Sequence, residues 1–111
     1  KQRDEVRKMV KKLQDTLGQV GYIEAVMKEG TDFRNEFTNL KPELFSGFKR
    51  NQFRHWCEDI SEYFQRHMPQ EYPDWYHNVY IVKMDPNLEE VLRAIEAGYN
   101  ILKGIQKKLT S

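Results

Sequence analysis

The sequence contains a single cysteine, Cys57, so it closes no internal disulfide and carries no cysteine-rich zinc site. No apolar run approaches the ~18 residues a membrane-crossing helix needs. No signal peptide is visible. Net charge is only +1, which gives no reason to expect a dedicated nucleic-acid binder. There is no P-loop, glycine-rich dinucleotide loop, GxSxG elbow or HExxH helix, and with them go the commonest signatures of nucleotide, acyl-transfer and zinc-hydrolase chemistry. Internal repeats and low-complexity tracts are absent as well.

What the chain does have is charge and rings. Charged residues make up 32% and aromatics 13% of 111 residues, which excludes a disordered polar tract and predicts an aromatic core under a heavily charged surface. This length suits one domain, residues 1–111, large enough to bury its own core. The chain opens on Lys1 rather than Met, as expected of one domain of a larger protein. The lone cysteine makes an intracellular, cytoplasmic setting the expectation.

Val6, Met9, Val10, Leu13 and Leu17 form an apolar stripe at i, i+3, i+4 spacing, and Val20, Ile23 and Met27 prolong it as one bent helix or two. Gly30 reads as a stop, with Thr31 or Asp32 capping a new helix that carries Phe33, Phe37 and Leu40. Lys41-Pro42 interrupts it, and residues 42–45 read as one turn. Ser46-Gly47 opens a helix over residues 48–67. Pro69 and Pro73 end it and frame an irregular loop holding Tyr72, Trp75 and Tyr76. Val79, Tyr80, Ile81 and Val82 make the only strand candidate. Asp85 as cap and Pro86 at the first position start the last helix, which runs to about residue 108 and ~34 Å. Its stripe is Leu88, Val91, Leu92, Ile95, Tyr99, Leu102 and Leu109. The predicted class is all-α: a four- to five-helix bundle with one irregular aromatic loop and a short extended segment near 79–82.

The stretch KRNQFRHWC, residues 49–57, carries the most suggestive chemistry. At about 100° per residue, Phe53, Trp56, Ile60, Tyr63 and Phe64 share one face, with Cys57 at its edge as an inert buried thiol. Asn51, His55, Glu58, Asp59, Glu62 and Arg66 share the opposite, solvated face, laced by Arg54–Glu58, His55–Asp59 and Glu62–Arg66 pairs. The same stretch contains Arg50-Asn51-x-x-x-His55, which resembles the motif of HEPN domains, small helical bundles that often cleave RNA as dimers. That resemblance covers six residues. It implies His55 in proton transfer, Arg50 stabilising phosphate charge and Asn51 as the accompanying polar residue. Arg50 and His55 lie about 140° apart on a regular helix, so this chemistry needs a second protomer or a bent helix.

His67 on the apolar face, His77 in the aromatic loop and Cys57 lack paired-ligand spacing, so no metal or other cofactor is expected. Lys1, Arg3, Arg7, Lys8, Lys11 and Lys12 read as a solvated basic face that binds nucleic acid weakly. Enzymatic status stays open. The expected function is a non-catalytic helical module for protein–protein association or self-association, with Tyr72, Trp75, Tyr76, Tyr80 and Ile81 as its contact residues. The alternative is a HEPN-like dimeric ribonuclease, or an inactive relative, using Arg50, Asn51 and His55.

Overall fold

A computed structural model describes residues 2–79 and 86–111, with side chains described from residue 18 onward. The fold is all-α. Among the described residues there are four α-helices, two single 3-10 turns and no strand. Helix α1 spans Gln2–Thr38, α2 Gly47–His67, α3 Tyr72–Asn78 and α4 Leu88–Thr110. The turns cover Pro42–Leu44 and Pro69–Glu71.

The stop expected at Gly30 does not occur; α1 continues for 37 residues as one helix. Gly30 has no positive φ and serves packing instead. A Cβ there would lie 2.9 Å from Cζ2 of Trp56, so only glycine lets the indole reach the α1 backbone. Thr31 caps nothing: its hydroxyl donates to the Met27 carbonyl one turn back (3.1 Å), a bond that fits inside a helix.

The prolines act as starts more than as stops. Pro42, Pro69 and Pro73 each sit in the first turn of a helical element, where the missing N–H has no intrahelical acceptor to lose. The loop expected around Tyr72, Trp75 and Tyr76 is therefore a 3-10 turn followed by α3. Ser46 begins α2 as anticipated, its hydroxyl accepting from the Lys49 N–H (3.3 Å). Helix α4 begins two residues later than the Asp85-Pro86 signal suggested. Asn87 is the cap: its Oδ1 accepts from the Glu90 N–H (2.8 Å), and the Glu90 carboxylate accepts from the Asn87 N–H (3.2 Å). This capping box satisfies two otherwise orphaned donors at once. Of the expected extended segment, Val79 closes α3, with its N–H donating to Trp75 O (2.9 Å); the remainder lies outside the described residues.

Helices α2 and α4 both run antiparallel to α1. Tyr22 meets Tyr63 and Glu36 meets Lys49 along one side. On the other, Glu24 meets Gln106 while Gly30 and Gly98 both face Trp56. The core is built on rings. Trp75, Phe37, Phe53 and Phe64 are fully buried with Ile23, Ile60, Val91, Ile95 and Leu102, and each such side chain stabilises the fold by roughly 1.5–3 kcal/mol. Trp56 and Trp75 cross edge to face at 5.5 Å, a favoured ring geometry. Each indole N–H has an acceptor: Val26 O for Trp56 (3.0 Å) and Cys57 O for Trp75 (3.3 Å). The seven-residue α3 is thus pinned through Trp75 into the centre of the molecule, with one face left outside.

Candidate functional site

The outer face of α2 exists because five apolar side chains, Phe53, Trp56, Cys57, Ile60 and Phe64, all turn inward. Helical periodicity then sends Asn51, His55, Glu58, Asp59, Glu62 and Arg66 outward, and all six are exposed. Phe48 joins them. It precedes Phe53 by five residues, about 140° away from the apolar stripe, and is 71% exposed. The spacing from Phe53 is the sequence signal for this outward position.

Two depressions flank the α2 face and share Glu62. One lies between α1 and α2, about 340 Å³, lined by Tyr22, Asp59, Glu62, Tyr63, Arg66 and His67. Tyr22 and Tyr63 stack nearly parallel, centroids 3.6 Å apart, and the Tyr22 hydroxyl donates to Asp59 O (3.4 Å). Burial pushes both phenols above their ordinary range, and the Asp59 charge adds to the effect at Tyr22. They are neutral hydroxyls at physiological pH, not nucleophiles or bases.

The other depression lies between α2 and α3, about 380 Å³, lined by Glu58, Ser61, Glu62, Gln65, Tyr72 and Tyr76. Glu58 and Glu62 stand one turn apart on one wall. Tyr72 and Tyr76 form the other, with ring centroids 5.8 Å apart. The Ser61 hydroxyl is turned inward and donates to Cys57 O (2.8 Å).

Of the expected contact residues, Tyr72 is half-buried and Tyr76 exposed, both on this groove. Trp75 is corrected: with no exposed surface it is a core residue, because the α3 helix turns it about 100° from each neighbour and into the bundle. Tyr80 and Ile81 lie outside the described residues. The side chains of the basic first helix, residues 1–12, are also outside them.

The six-residue motif does not converge on one point. The half-buried Arg50 turns toward the start of α4, where its Nε donates to Pro86 O (3.0 Å) and its guanidinium lies 5.2 Å from the Phe45 ring. Asn51 and His55 face solvent. His67, expected on the apolar face, is exposed against Tyr63 (4.8 Å), because Met68 takes the next core position. Cys57 is buried, and burial, reinforced by Glu58, pushes its thiol well above the usual range, so it supplies no thiolate at neutral pH.

Among the described residues no three His, Cys, Asp or Glu side chains are grouped to hold a metal ion, and no helix is long and apolar enough to cross a membrane. No family model, curated protein or solved structure matches the chain.

Proposed function

We propose that this chain is a non-catalytic helical interaction module that docks a partner protein on the α2–α3 face. One observation carries the reading: a tyrosine-walled, carboxylate-rimmed groove between α2 and α3. Exposed tyrosine is a favoured contact residue because it offers large area at low entropic cost. Elsewhere on the same helices, burial keeps the Cys57 thiol and the Tyr22 and Tyr63 phenols protonated, so none of the three supplies a nucleophile or base at neutral pH. The carboxylates repel nucleic-acid phosphates, so nucleic acid does not use this face. A cytoplasmic setting suits a lone thiol with no partner in its own chain.

A photo-crosslinking residue in place of Tyr76 tests the reading, with the exposed Lys103 of α4 as the control position. The expected result is one discrete protein adduct at position 76, mapped by mass spectrometry and lost in Glu62→Lys, with none at 103. Adducts at both positions, adducts to nucleic acid, or none at 76 would overturn it.

A further inference from the structure

We infer that the α2–α3 groove takes an arginine side chain presented by the partner protein. The inference rests on the docking reading above and names its chemistry. The groove's six lining residues include two carboxylates and no cation. Its one short hydroxyl, on Ser61, is spent on the backbone. The rest of that lining is acceptor-rich: the Glu58 and Glu62 carboxylates and the Gln65 amide oxygen. Opposite them stand the faces of Tyr72 and Tyr76.

A planar cation satisfies both walls at once. A guanidinium can stack on a ring while its N–H fork donates to a carboxylate, whereas an ammonium offers a point charge and no plane. Glu62 already receives a guanidinium in this structure. Arg66 lies 3.7 Å from it, with the two side chains 74% and 71% exposed. An ion pair this long and this solvated holds little energy, so an incoming arginine can displace it without a large penalty. The size fits as well. About 380 Å³ is near the lower limit of ligand sites (~300–1,000 Å³), room for one long side chain and its flanking backbone rather than for a helix.

The test uses the isotope-labelled chain and three acetylated pentapeptide amides, Gly-Ser-X-Ser-Gly, with X as arginine, lysine or citrulline, followed by NMR titration. Citrulline keeps the shape of arginine and removes its charge. The arginine peptide should saturably shift resonances of Glu58, Glu62, Tyr72 and Tyr76. Lysine should bind several-fold more weakly and citrulline at least about tenfold more weakly. The Glu58→Gln/Glu62→Gln pair should lose about tenfold and Tyr76→Leu several-fold, with unchanged helix content. Equal binding of lysine or citrulline, or shifts scattered over surface carboxylates without saturation, overturns the arginine assignment. If cross-links at position 76 persist in that case, docking stands and only its chemistry is wrong; if they fail too, the docking reading goes with it. Dimerisation of the chain that the arginine peptide competes away would replace the partner protein with a second copy.

Discussion

Replacing helical glycines by alanine should stabilise this protein at some positions and destabilise it at others, and the structure assigns the sign. Alanine in an exposed helix interior gains roughly 0.5–1 kcal/mol over glycine, because the unfolded chain loses freedom. Gly21 and Gly104 are exposed, and an added Cβ would meet nothing within 4 Å, so each should gain that amount. Gly98 differs. Its Cβ would sit 3.1 Å from Cη2 of Trp56 and 3.2 Å from both Cη2 and Cζ3 of Trp75, inside the ~3.5–4.0 Å optimum for carbon pairs. Neither ring can retreat easily. Trp56 is tied to Val26 O and wedged by Phe33 and Phe53; Trp75 is tied to Cys57 O and backed by Phe64. Overpacking of this kind costs ~1–3 kcal/mol. Subtracting the helical gain leaves Gly98→Ala destabilised by roughly 0–2.5 kcal/mol, centred near ~1, against a gain at Gly21 and Gly104. Gly30→Ala should be at least as damaging, since its Cβ would fall 2.9 Å from Trp56. Urea unfolding followed by circular dichroism reads all four variants. Gly98→Ala matching the gain of Gly104→Ala would refute the contact between α4 and the two indoles.

The remaining expectations use the same assay. Trp75→Ala should cost ~3–5 kcal/mol, the range for a large core aromatic, whereas a surface tyrosine-like role predicts under ~1. Arg50→Ala should cost roughly 1–3 kcal/mol, because it leaves the Pro86 carbonyl without its charged donor, while His55→Ala should stay within ~0.5; RNA cleavage abolished by both would instead establish the ribonuclease alternative. Stability should fall as pH rises above the unfolded thiol range near ~8.5, because native Cys57 holds its proton to higher pH than the unfolded chain does; the slope approaches ~1.4 kcal/mol per pH unit. Cys57→Ala should flatten that slope between about pH 8.5 and 10, and an unchanged slope would show that the thiol is not buried.

The helix faces were legible in the sequence because amphipathic periodicity acts over many residues at once. The division of α2 into Phe53, Trp56, Ile60 and Phe64 inside and Asn51, His55, Glu58, Glu62 outside is the one observed. So is the α4 stripe through Val91, Ile95 and Leu102. The breaks were misread because glycine and proline each have two meanings. Gly30 can end a helix or admit an indole against it, and only the position of Trp56, 26 residues further on, decides. Pro73 can interrupt a helix or begin one, and only the burial of Trp75 shows that a helix pays for the ordering of α3.

The candidate site was half legible for the same reason. Tyr72, Trp75 and Tyr76 look alike as a cluster in sequence. A loop would leave their directions unrelated, but a helix fixes them. Residues 72 and 76 are one turn apart and share a face, while residue 75 is turned about 100° away from 76. Once α3 is helical, burying Trp75 forces Tyr72 and Tyr76 to stay together at the rim. The groove is therefore a by-product of the core: the packing that withdraws the indole is what sets the two phenols opposite Glu58 and Glu62. It follows that the site and the fold should fail together. Substitutions that loosen Trp75 should release the tyrosine wall, whereas substitutions at Glu58 and Glu62, exposed on α2, should leave the fold intact and remove only its chemistry.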